Sequence, residues 1–299
     1  PQRPAMTQDT TPNSPRTVVV TGASTGIGAA TARHLAQHGW RVFAGVRKES
    51  DGEALKAGST GDLRPLILDV MKPESVDAAV KTVADSLGSA RLGGLVNNAG
   101  IAKIGPLALQ PMDQFESHFE VNVFGLMRTT QAFIPLLGSD PDRKGLPGRI
   151  VNITSVGGRL AAPFLGAYAA TKHAVEALTD SLRRELRIYG IDAIAIGPGS
   201  VKTPIWDKAE EANDDQPYAN SDWAEALNKF QDVMLGGGRT GLEPVEIGKI
   251  VQIALEDSSP KARYAPVPNK LTNWTIPTRL PKRMLDSIFA NRFGIGKPD

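Results

Sequence analysis

Residues Thr17–Gly28, TVVVTGASTGIG, decide the fold. Thr17–Thr21 is β-branched throughout and reads as a strand buried on both faces. Glycines at 22, 26 and 28 turn the chain sharply before a helical pattern runs from Ile27 to His38, where Gly39 ends it. Glycine suits such a turn because its backbone reaches unusual dihedrals and lets a pyrophosphate approach without a Cβ in the way. The helix behind it offers unpaired N–H groups and a partial positive charge to phosphates. The spacing differs from G-x-G-x-x-G, and a tight turn with no ligand is the reading this stretch alone leaves open.

Outward from that turn, strand and helix patterns alternate. Strands are expected at Arg41–Val46, Arg64–Val70, Gly94–Asn98, Arg149–Ser155, Ile191–Ile196 and Arg263–Val267. Helices are expected at Pro73–Leu87, Met112–Leu137, Tyr168–Tyr189 and Val245–Leu255. Apolar strands alternating with helices over this length predict an α/β fold: a single doubly wound parallel sheet of about seven strands, with helices on both faces. Residues 16–268 are assigned to this Rossmann-type domain. Pro1–Pro15 is expected to be a disordered leader, and 269–299 a C-terminal extension.

Composition excludes several kinds of chemistry. The chain of 299 residues has no Cys, so disulfides, cysteine nucleophiles and thiolate metal sites are out. A reducing cytoplasm fits that composition. A formal net charge of +2 is too small to argue for nucleic acid. No apolar run approaches the ~18 residues of a membrane-spanning helix. His34 and His38 lie four apart on a helix, but without an H-E-x-x-H pattern they read as helix-surface residues, and no metal is expected. His118 and His173 need no special role.

The chemistry-bearing residues cluster late in the chain. Tyr168-Ala-Ala-Thr-Lys172 puts a phenol and an ammonium four residues apart, on one helix face. A free Tyr titrates near ~10, and a neighbouring cation favours its phenolate. A phenol so tuned exchanges protons with an alcohol or carbonyl. Y-x-x-x-K also arises by chance on many helices, so its neighbours matter. Ser155 ends the fifth strand 13 residues before Tyr168. Asn122 lies mid-helix in Glu120-Val-Asn-Val-Phe-Gly125, where an Asn alone usually makes a local hydrogen bond. Pro198-Gly199 follows the sixth strand, with Val201 and Thr203 just beyond.

Taken together, these motifs resemble the short-chain dehydrogenase/reductase family in its single-domain form. The resemblance runs from about Arg16 to Thr203, and more loosely to Val267. It implies a nicotinamide-dependent oxidoreductase acting on a carbonyl or alcohol. Cofactor binding is then expected from Gly22, Ser24, Thr25, Gly26, Ile27 and Gly28. Asp69 and Val70 are implied beside the adenine, and Asn98, Ala99 and Gly100 of an NNAG element beside its ribose. Pro198, Gly199, Val201 and Thr203 would grip the nicotinamide. Asn122, Ser155, Tyr168 and Lys172 are implied as the catalytic set: Ser155 holds the substrate oxygen, Tyr168 exchanges its proton, and Asn122 supports a relay to Lys172.

At the end of the second strand, Val46 stands where NAD-preferring relatives carry Asp. Arg47 and Lys48 follow it. An Arg there accommodates a 2′-phosphate, so NADP(H) is the expected cofactor. Glu49 and Asp51 lie slightly further on and keep NAD(H) as the alternative. A solvated basic turn is the bland reading.

Residues 200–241, with Trp206, Trp223, Phe230 and Met234, fall where this family carries a substrate lid, and suggest an apolar substrate. The FAGVR element and the extended tail are similar to the retinol and hydroxysteroid dehydrogenase branch. Pro281–Phe293 is a basic amphipathic helix expected to pack on its own protein. A homo-oligomer, dimer or tetramer, would use the Met112–Leu137 and Tyr168–Tyr189 helices. The alternatives are a non-catalytic NADP(H) sensor, which should have lost Tyr, Lys or Ser, and a sugar epimerase- or dehydratase-type member of the family.

Overall fold

The computed structural model describes residues 16–203 and 218–296. The expected leader, Trp206 and residues 204–217 of the expected lid lie outside the described residues. The chain forms a seven-stranded parallel sheet, β1 (Thr17–Val20), β2 (Arg41–Val46), β3 (Leu63–Ile67), β4 (Gly94–Asn97), β5 (Arg149–Ile153), β6 (Asp192–Ile196) and β7 (Arg263–Tyr264). Their spatial order is β3-β2-β1-β4-β5-β6-β7, the doubly wound arrangement expected from the sequence. From β1 the chain winds outward to β3, then crosses back to lay β4 on β1's other side. Val18 consequently pairs with both Val42 and Gly94. At such a reversal the loops leaving the two strands diverge and open a crevice beyond the strands' carboxyl ends.

β1 is buried at every position because helices cover both faces. Val18 and Val20 point to one side, where α1 (Gly26–Gln37) and α8 (Pro244–Glu256) supply Ala32, Leu35, Ile247 and Val251. Val19 points to the other and packs with Phe43, Leu95, Phe133 and Ile150. That second layer is formed by α3 (Pro73–Leu87), α5 (Leu126–Ile134) and α6 (Gly166–Glu185). Each fully buried side chain of this kind contributes about 1.5–3 kcal/mol.

Four local expectations change. A short helix α2 (Glu49–Ala57) follows β2; it was illegible because it buries only Gly52 and Leu55. β3 ends at Ile67, short of Val70, because Asp69 folds back to accept from the Met71 amide at 3.1 Å. β7 stops at Tyr264, since Pro266 and Pro268 have no amide to donate. The long helix at Met112–Leu137 is instead α4 (Met112–Phe119), a π-helical turn (Glu120–Gly125), α5 and a second such turn (Pro135–Ser139).

A third apolar cluster involves the C-terminal segments. It joins Ala102 and Ile104, from the loop after β4, with Phe164, Leu165, Tyr168, Tyr218 and Phe230. Phe230 lies on α7 (Ala224–Thr240), and the C-terminal helix α9 (Lys282–Phe293) adds Phe293. The ring of Phe230 meets Phe164 edge-on at 5.6 Å and Phe293 at 5.4 Å. The expected lid residues Trp223 and Met234 pack against this same cluster. No helix among the described residues is long and apolar enough to cross a membrane.

Candidate active site

The turn after β1 is pinned to the end of β4. Thr21 Oγ1 accepts from the amides of Asn98 and Ala99, both at 3.0 Å. Asn98 Nδ2 donates to the carbonyls of Thr21 and Gly22, again at 3.0 Å. Gly22 has φ +63°, and a Cβ there would stand 2.7 Å from Ala99 Cα. Only glycine allows the two backbones to approach so closely.

Gly26, also in the left-handed region at φ +57°, opens α1. That first turn has no acidic residue, and its N-cap Thr25 makes no capping hydrogen bond. Its amide donors therefore belong to whatever enters the cleft that Ser24, Thr25, Gly26 and Ile27 line. This donor set fits a dinucleotide pyrophosphate.

Gly28 sits apart from these four. It is buried beneath the turn and does not line the cleft; a Cβ there would collide with the Gly22 carbonyl and Asn98 Nδ2. Asn98 lines the cleft, but its amide is spent on the glycine turn.

Arg47, Asp69 and Val70 line one part of the same cleft. Arg47 is exposed. Glu49 and Asp51 fall in the first turn of α2, where they complement its dipole, and neither lines the cleft. Ala99 and Gly100 continue the lining towards Ser155, Tyr168, Lys172, Pro198, Gly199, Val201 and Thr203.

At this end Ser155 follows β5, and its Oγ accepts from the Gly157 amide at 3.0 Å. The Val156 amide donates to Pro198 O at 2.9 Å, tying the serine loop to the loop after β6. Tyr168 and Lys172 are both buried on α6, with Lys172 Nζ 5.6 Å from the phenol ring centre. Lys172 Nζ also donates to Ile153 O at 2.9 Å.

Asn122 sits in the first π-helical turn but does not line the cleft. Its Oδ1 accepts from Ile101 N at 2.8 Å, and its Nδ2 donates to Ile101 O and Thr171 Oγ1 at 3.0 Å. These bonds brace the loop after β4 against α6, directly behind Lys172.

Burial dominates the ionisation of this pair. It pushes the Tyr168 phenol above its ordinary value, against a hydrogen bond with Ser155 that pulls it down. It lowers the Lys172 ammonium to about 8, partly opposed by Glu176. Proximity to Lys172 alone therefore does not make Tyr168 acidic.

Sequence reasoning missed Glu176. This buried carboxylate accepts from Thr154 Oγ1 at 2.6 Å and pairs with Arg263 Nε at 2.9 Å. The signal was present: Tyr168, Lys172 and Glu176 recur every four residues on one helix face. His34, expected on a helix surface, is instead buried with Nε2 bonded to Gln252 Oε1 at 2.7 Å, and His118 is buried between Gln114 O and the Lys103 amide.

Residues 16–214 match the family model described as short chain dehydrogenase. The chain belongs to this family. It is an oxidoreductase of the nicotinamide-dependent, single-domain kind. Relatives extend over nearly its whole length. An NADPH-dependent 3-dehydrocapnine reductase of Ornithobacterium rhinotracheale is 38% identical over 276 residues, covering 92% of this chain and 96% of that protein. Retinol dehydrogenase 5 of Homo sapiens is 32% identical over 295 residues, with coverages of 93% and 89%. Among solved structures, a short-chain dehydrogenase from Streptomyces avermitilis superposes with a TM-score of 0.74 at 26% identity, covering 94% of this chain and 95% of that one.

The buried ammonium of this dehydrogenase makes its stability depend on pH. Lys172 loses its proton near 8 when folded and near 10.5 when unfolded. Between those values the unfolded chain binds more protons, so stability rises with pH. Denaturant unfolding should show the wild type gaining on the order of 2–4 kcal/mol relative to Lys172→Met as pH rises from 7 to 10.

Proposed function

We propose that this dehydrogenase uses NADP(H) in preference to NAD(H), and interconverts a carbonyl and an alcohol on an apolar, steroid-, retinoid- or lipid-like molecule. One observation carries the reading. Ser155, Tyr168 and Lys172 line the same cleft as the amide-bearing turn at the head of α1. A bound nicotinamide supplies a hydride to the carbonyl carbon, or takes one from the alcohol carbon.

The protein's part is orientation and proton handling. The Ser155 hydroxyl holds the substrate oxygen beside Tyr168. Tyr168 gives that oxygen its proton in reduction and removes it in oxidation. Lys172 stabilises the phenolate this leaves. The aromatic cluster around Tyr168, including Phe164 and Phe230, keeps water from the reacting atoms and suits an apolar substrate.

The cofactor preference rests on Arg47 at the cleft's edge, a bidentate phosphate donor that follows Val46, not an acid, at the end of β2. A relative named for NADPH dependence supports it. The reading extends to a cytoplasmic setting, which a cysteine-free chain suits. It includes a homo-oligomer joined on the α4–α5 and α6 face, where Met112, Phe124 and Ile188 are exposed.

Two variants test the proposal. With a panel of apolar ketones and alcohols, followed by absorbance of the reduced cofactor, Tyr168→Phe should lose about 10²–10⁴-fold in kcat/KM. Its NADPH affinity should stay within about threefold, whereas tight NADPH binding by a wild type that turns over none of the panel would favour a sensor. Arg47→Ala should weaken NADPH binding about tenfold in a fluorescence titration, the loss of one exposed charge-assisted contact. NADH binding should be unchanged; equal losses for both cofactors would reduce Arg47 to a solvated surface charge.

A further inference from the structure

Glu176 is the only buried carboxylate among the described residues. Removing a carboxylate from water costs several kcal/mol, and an ion pair in that setting is often no better for stability than apolar packing. Its surroundings are nonetheless built to hold it. Thr154 Oγ1 donates to it at 2.6 Å and also reaches Ile196 O at 3.2 Å. Arg263 Nε meets both carboxylate oxygens, at 2.9 and 3.0 Å, and Arg159 Nε lies 3.5 Å away. Two glycines make the space. A Cβ on Gly197 would run into the Arg263 guanidinium, and one on Gly158 would stand 2.9 Å from Glu176 Cγ. The indole of Trp274, from the C-terminal extension, covers Arg263 with the guanidinium 4.3 Å from its ring centre.

The network meets the strand end that carries Ser155. Thr154 immediately precedes Ser155. Arg263 Nη2 reaches the Ser155 carbonyl at 3.4 Å. Lys172, one helical turn before Glu176, holds the Ile153 carbonyl on the same strand.

We propose that Glu176 is a positioning residue: through Thr154 and Arg263 it fixes the strand end that presents Ser155, and it places a counter-charge one helical turn from Lys172. Trp274 makes the C-terminal extension part of the same support. The inference rests on the assignment of Ser155, Tyr168 and Lys172 as the reacting set. The groups facing Lys172 are Tyr168 and Glu176 on α6, the Ile153 carbonyl on β5 and Asn122 from the π-helical turn. Arg263 of β7 and Arg159 stand behind Glu176.

Glu176→Gln tests it, because glutamine keeps the shape and the Thr154 acceptor but removes the charge. In the ligand-free full chain, the Lys172 13Cε resonance, assigned with Lys172→Arg, reports its titration near 8. The variant should move that midpoint down by about one pH unit, as loss of a neighbouring opposite charge does. In carbonyl reduction, the alkaline fall of kcat should move down by the same interval, with KM for the ketone changed less than about threefold. An unmoved Lys172 midpoint would overturn the proposal and leave Glu176 as a core ion pair. If Glu176→Gln does not fold, Glu176→Gln/Arg263→Gln removes both buried charges, and the same outcomes apply. A wild type that turns over no carbonyl or alcohol would instead sink the functional reading, and the resonance would still decide the role of Glu176.

Discussion

The site depends on one close approach, that of the Gly22 backbone to Ala99. A side chain at Gly22 would fill the gap, and the bonds between Thr21 and Asn98 hold it closed. This joins the ends of β1 and β4 where the strand order reverses. The amide end of α1 and the loop that carries Gly100 then share one wall. Without that contact the turn and the Tyr168 helix would belong to separate surfaces. The buried sheet beneath keeps both rigid, since each central strand is locked by side chains on two faces.

Electrostatics at the other end works against the solvent's preference. Burial opposes charge on both members of the pair: it holds Tyr168 neutral and makes Lys172 easier to deprotonate. The site therefore keeps an ammonium in apolar surroundings, with the Ile153 carbonyl and the Glu176 carboxylate as compensation. A proton donor held above its ordinary value keeps its proton at neutral pH and releases it when charge develops on a bound oxygen. Tyr168 lies in one apolar cluster with Phe164, Phe230 and Phe293, and burial is what raises it.

Much of this was legible in the residues. The unbroken β-branched run at Thr17–Thr21 and its successors announced a sheet covered on both faces. The glycine turn announced the amide-bearing helix end. What stayed hidden was decided by tertiary partners. Gly28 and Gly22 look alike in sequence, yet one packs against the turn while the other lines the cleft. Asn98 reads as a ligand contact, but its side chain holds the turn. Asn122 braces Ile101 through a π-helical turn that no periodicity reveals. Glu176 was readable by its spacing from Lys172, whereas its partner Arg263 lies 87 residues further on and only the fold brings it near.

The most direct test is a crystal structure of the full chain grown with NADPH. The account predicts the pyrophosphate on the amides of Gly26 and Ile27, the 2′-phosphate at Arg47, and the nicotinamide ring facing the Tyr168 hydroxyl. A cofactor bound elsewhere, or bound here with its nicotinamide turned away from Tyr168, would contradict it.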